Sequence, residues 1–110
     1  MQLEPQSAAL AKRVVLEAAA QGRRDTVAAL APIATFIDPA DADVHAALGR
    51  ALAALGRARE ARQSFERALR FAPGNGALHR ALADVLDKLG ERTEAAAHRR
   101  AATADAGVDR

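Results

Sequence analysis

The sequence predicts an all-α fold, an α-solenoid of three helix–turn–helix units whose six helices run antiparallel to their chain neighbours. Two observations on spacing and one on composition predict it. Gly22, Gly56 and Gly90 recur every 34 residues, as do Pro39 and Pro73, and Gly107 stands where a third proline would fall. The pairs Leu48 and Leu82, Leu52 and Leu86, Ala61 and Ala95, and His45 and His79 keep the same interval. A fixed period of this size marks stacked units that bury their apolar faces against each other. Half of the 110 residues are apolar, mostly Ala, with three Phe and no Trp, Tyr or Cys. Ala with Arg and Glu favours helix, and its small side chain lets helices approach closely, giving a thin core.

Each helix follows from a stripe and its punctuation. Leu10, Val14 and Ala18 form the expected core stripe of the first helix, which Gly22 closes as a left-handed cap. Arg23, Arg24 and Asp25 make the polar step to a second helix carrying Val27, Leu30, Ala31 and Ala34, ended by Pro39. Pro32 inside that helix should kink it or displace its start. Asp41 is suited to cap the third helix, whose stripe is Val44, Leu48 and Leu52 before Gly56. The fourth carries Ala61, Phe65, Ala68 and Leu69 and stops at Pro73. Asn75 caps the fifth, with Leu78, Leu82 and Leu86 before Gly90, and the sixth carries Ala95 and Ala102. The helices fall near 6–21, 24–37, 41–54, 58–71, 75–88 and 92–105, in units of about 8–41, 42–75 and 76–109 within a single domain. Ala106 to Arg110 read as a short tail.

Charge and composition exclude several functions. The net charge is +2, from 16 basic and 14 acidic residues that are interspersed. Nucleic-acid binding needs a basic stripe, ideally with aromatics for base stacking, and neither is present. No run reaches the ~18 apolar residues of a membrane span, and the start has no signal-peptide core. Without Cys there is no disulfide or thiolate site. The expected compartment is the cytoplasm.

The 34-residue signature resembles the tetratricopeptide repeat family. In the middle unit Leu48-Gly49, Leu52, Gly56, Ala61, Phe65, Ala68 and Pro73 match its pattern in order. The third unit keeps Leu82, Leu86, Gly90, Ala95 and Ala102, with Ala83 for the paired glycine, and the first keeps Val14, Gly22, Ala34 and Pro39. The resemblance covers roughly residues 8–107. It implies alanines at tight helix contacts, with Phe65 and Leu69 wedged between units. Arg99 falls in the slot of Phe65, so Arg99, Arg100 and His98 read either as polar capping of an exposed end or as a degenerate internal unit. In the chaperone-docking branch, Lys, Asn and Arg residues clamp a C-terminal carboxylate. Here Lys12 matches, but the other clamp sites read Leu16, Ala47, Ala77 and Ala81, which argues against that role.

No catalytic, metal or cofactor constellation is expected. His45 and His79 lie one unit apart, on helices roughly 8–10 Å from each other, too far to share a zinc. Ser7 and Ser64 lack the strand–turn–helix context of an activated serine. What remains is a groove. At 100° per residue, the concave side of the first helices carries Ala9, Lys12, Leu16 and Ala19, then Asp43, Ala46, Arg50 and Ala53, then Ala77, Arg80, Asp84 and Asp87. Leu16, Arg50 and Asp84 form one column, and Lys12, Ala46 and Arg80 the next. Arg50 and Asp84 either pair with each other or face a ligand. The groove residues Lys12, Leu16, Arg50, Arg80, Asp84 and Asp87 point to a non-enzymatic protein-interaction module binding a peptide or helix of a partner. The alternatives are an accessory domain of a larger enzyme and a weakly self-associating helical array.

Overall fold

The computed structural model describes residues 5–107, all within six helices and their short connections. These are α1 (Pro5–Ala20), α2 (Arg24–Ile37), α3 (Ala42–Ala54), α4 (Ala58–Phe71), α5 (Gly76–Lys88) and α6 (Arg92–Gly107). No strand occurs among the described residues. Residues 108 and 109 of the third unit, and the end of the expected tail, lie outside them.

The turn chemistry repeats with the sequence. Gly22, Gly56 and Gly90 take φ of 72°, 80° and 82°, a left-handed geometry that glycine adopts without steric cost. After each, the chain closes the same pair of bonds. Gly56 N–H donates to Ala53 O at 3.1 Å and Arg57 N–H to Leu52 O at 2.9 Å; the equivalents at Gly22 and Gly90 reach Ala19 and Ala18, and Asp87 and Leu86. This Schellman arrangement satisfies carbonyls that a helix end leaves open. At the helix starts, Asp41 accepts from the N–H groups of Asp43 (3.0 Å) and Val44 (3.2 Å), and Asn75 accepts from Leu78 N–H at 3.1 Å. Pro32 does not displace the start of α2, which runs unbroken from Arg24 through it.

The helices stack as pairs. α3 packs on both helices of the preceding pair, more on α2 than on α1, and α5 does the same with α4 and α3. α1 and α5 do not meet, so the array is open and not a closed bundle. α2 and α4 also stay apart, with no Cα pair within 8 Å. The radius of gyration of 14.4 Å exceeds the ~13 Å of a compact domain this size, as an open stack should.

Alanines fill the tight contacts: Ala31, Ala61, Ala68, Ala83 and Ala95 are fully buried. Gly49 has a specific task. A Cβ there would lie 2.8 Å from two ring carbons of Phe65, which is itself only 1% exposed. In the first unit the stripe differs from expectation. Val15 and Ala18 are buried, while Leu10 (60% exposed) and Val14 (41%) face water. Their equivalents Val44 (1%) and Leu48 (8%) are covered by the unit before them, and no unit precedes α1 among the described residues.

Candidate interaction groove

α1, α3 and α5 line one side of the stack, and their small side chains leave space there. A cavity of about 400 Å³ is walled by Leu16 and Ala19 of α1, by Asp43, Ala46 and Arg50 of α3, and reaches Asn75 and Leu78 at the start of α5. Arg23, in the turn before α2, and Arg24, the first residue of α2, also border it. A second concavity of about 250 Å³ brings Arg50 and Asp84 together, with Ala53, Ala81 and Lys88. Leu16 and Arg50 thus share the first cavity, and Arg50 and Asp84 the second. Arg80 is exposed on α5 and Lys12 half-buried on α1.

The charges are arranged unevenly. Lys12 Nζ lies 3.0 Å from Asp41 and 3.3 Å from Asp43. Hydrogen bonds to those two carboxylates raise its pKa and hold it charged. Arg50 does not pair with Asp84. Arg99 of α6 does, at 3.0 Å, and reaches Asp87 at 2.6 Å. Those bonds, to Asp87 first and then Asp84, raise the guanidinium pKa further. Arg99 therefore reaches back across its own unit. Among the described residues Arg23, Arg24, Arg50 and Arg80 have no ion-pair partner. Sequence reasoning missed the bordering Arg23 and Arg24 and the two internal ion clusters. Asp41, the N-cap of the next unit, and Asp43 in the first turn after it were the available signal for Lys12.

The histidines serve the turns. His45 Nε2–H donates to Pro39 O and His79 Nε2–H to Pro73 O, both at 2.8 Å, so each imidazole ties a helix start to the proline turn before it. His45 stacks on Phe71 at 6.2 Å, and its Nδ1 is buried without a partner. With its proton on Nε2, His79 accepts at Nδ1 from His98 Nδ1–H at 2.9 Å. His98 thus ties α6 to α5 within the last unit. Burial lowers its pKa, and the neighbouring His79 lowers it further. No group of three or more potential metal ligands occurs among the described residues. Ser64 is buried in the core.

Comparison with known proteins places these features. The tetratricopeptide repeat model matches residues 42–75. Among solved structures the chain is similar to a MamA point mutant at 31% identity and a TM-score of 0.85, covering 92% of this chain and 74% of that one. It is also similar to MamA AMB-1 at 30% identity and a TM-score of 0.85, over 94% of this chain and 61% of the other. Against MamA MSR-1 it spans 59% of that chain's length. At 15% identity it shares its fold with SycD, a type III secretion chaperone of Yersinia enterocolitica solved in complex with a peptide of the translocator YopD. The TM-score there is 0.86, covering 96% of this chain and 80% of that one. No curated protein matches the chain. None of its helices, among the described residues, is long and apolar enough to cross a membrane.

Proposed function

The chain belongs to the tetratricopeptide repeat family, and from that premise we propose that it is a non-enzymatic module holding a segment of a partner protein in the groove of α1, α3 and α5. The observation that carries this reading is the charge arrangement around the cavity. Lys12, Asp84 and Asp87 are matched within the chain, whereas Arg50 stands unpaired on the cavity wall beside alanines, and Arg80, also unpaired, is exposed on α5 beside Gly76. The segment is therefore acidic where it meets Arg50 and Arg80, and small-featured where it meets Ala19, Ala46 and Leu16. A basic residue toward unit three, which Asp84 and Asp87 suggest from sequence, has a competitor in Arg99. The SycD complex supports the reading to the extent that a protein of this fold holds a peptide.

The test is an affinity pull-down with mass spectrometry, using wild type and the Arg50→Ala, Arg80→Ala double variant. The double variant should stay folded, since exposed substitutions change stability within ~0.5 kcal/mol. Its affinity for the captured partner should fall, and wild-type binding should weaken with added salt because exposed charge contacts are screened. Unchanged affinity would remove the groove from consideration.

A further inference from the structure

The end of the stack formed by α1 and α2 is apolar in a way the repeat does not require. Leu10 and Val14 are exposed there, and helix geometry puts Leu30, Ile33 and Ile37 of α2 on the same side of the pair. Ile33 is 57% exposed. It continues toward Phe36, which at 84% is the most exposed large apolar residue described. The next unit shows what is unusual. One period on, the slots of Ile33 and Phe36 hold Arg67 and Arg70, both solvated. A preceding pair of helices would cover Leu10 and Val14, as unit one covers Val44 and Leu48. It would not cover Ile33 and Phe36, because their equivalents Arg67 and Arg70 stay exposed although unit one precedes them. The occupant has to lie across both helices.

We propose that this face binds the same face of a second copy, so that two chains meet end to end about a twofold axis. Two observations favour a second copy in that orientation. Among the described residues the face carries no uncompensated charge: its neighbouring Arg13 and Glu17 pair with each other at 3.1 Å. An uncharged apolar surface is complementary to itself, as a twofold interface must be. The opposite end of the stack rules out head-to-tail addition. The slot that Phe65 fills beside Ala81 and Val85 of the next unit is taken in unit three by Arg99, bonded to Asp84 and Asp87. Stacking Leu10 and Val14 onto that end would desolvate three charges against apolar side chains. The twofold contact buries apolar surface on both sides and leaves the groove of α1, α3 and α5 free.

Sedimentation equilibrium over a wide concentration range tests the proposal. Wild type is expected to self-associate to a dimer and no further. Val14→Glu and Ile33→Glu, both at exposed sites that keep the helices intact, should each weaken dimerisation at least about tenfold by burying an unpaired carboxylate. Arg50→Ala with Arg80→Ala should dimerise as wild type does, which separates this face from the groove. The chain has no native cysteine, so single-cysteine variants can map the contact with a short bis-maleimide. Ile33→Cys should cross-link to itself much faster than Arg67→Cys, its equivalent one unit on. A monomer at every concentration would overturn the proposal and leave the face to a different protein. So would chain growth beyond the dimer, dimers indifferent to both glutamates, or equal cross-linking at 33 and 67.

Discussion

Truncating Phe65 to Ala should remove much of the stability of the protein, and the partner position Gly49 shows why. Phe65 is fully buried, with its ring edge where a Gly49 side chain would otherwise be. Deleting a buried Phe ring costs ~3–5 kcal/mol in lost transfer energy and residual cavity. A chain of this length holds roughly 5–15 kcal/mol in all, and an alanine core sits at the low end. The urea midpoint, followed by circular dichroism at 222 nm, should move by roughly 2 M for an m-value near 2 kcal/mol/M. Phe36→Ala, at a solvated site, should move it little. The sharper test is Gly49→Ala in both backgrounds. With Phe65 present the methyl meets the ring at 2.8 Å, and overpacking of ~1–3 kcal/mol outweighs the ~1 kcal/mol gained in helix propensity. With Phe65→Ala the clash is gone and the same methyl should stabilise. If Gly49→Ala has the same sign in both backgrounds, or if Phe65→Ala costs no more than Phe36→Ala, the reasoning about this contact is wrong.

Three further perturbations isolate other terms. Gly56→Ala introduces no contact within 4 Å but forces φ of 80° on an L-residue, so urea melts should show a loss of ~1–2 kcal/mol from the backbone alone, while Gly74→Ala, equally open, should be near neutral. Asp41→Ala removes the acceptor for two backbone N–H groups and a partner of Lys12, and should cost ~1–2 kcal/mol; Asp41→Asn keeps the cap and should cost much less in the same melts. His98 titrates lower in the folded chain than unfolded, so the unfolded state takes up more protons. Its contribution is complete above the ordinary value near pH 6.5 and is lost as pH falls below it, and the melting temperature of His98→Gln should therefore vary less between pH 7.5 and pH 5 than that of wild type.

Period and punctuation carried the fold. Three glycines in one phase, two prolines and two capping residues are local chemistry, and the helices begin and end where those residues require. The first unit was less legible, because translating the stripe of unit two backwards puts Leu10 and Val14 in the core. The slots opposite Gly49 and Phe65 hold the missed clue. In unit one they are Val15 and Ala31, both buried, so the bulk that unit two takes from its second helix comes from the first. Ala31 in the aromatic slot was the sign that Val15 should fill it. The groove was legible as a face, since periodicity alone groups Leu16 with Ala19, and Ala46 with Arg50. Its electrostatics were not. Whether Asp84 meets Arg50 or Arg99 depends on side chains 34 and 15 residues away in sequence, and rotamer reach decides it.

The gap between α2 and α4 gives the array a mechanical character. On the groove side α1, α3 and α5 touch in series, while on the outer side α2 and α4 stand apart and α4 meets α6 through the Arg62–Glu94 ion pair. Bending the array therefore pivots about the groove, as a book bends about its spine. Flexing units one and two changes the space between α2 and α4 and slides α2 on α3, while the spacing of Leu16 and Arg50, on helices that touch at the pivot, changes least. A segment lying along the spine is read at constant pitch whatever the curvature. A body inserted on the outer side between α2 and α4 would act instead as a wedge that sets the curvature of the whole stack.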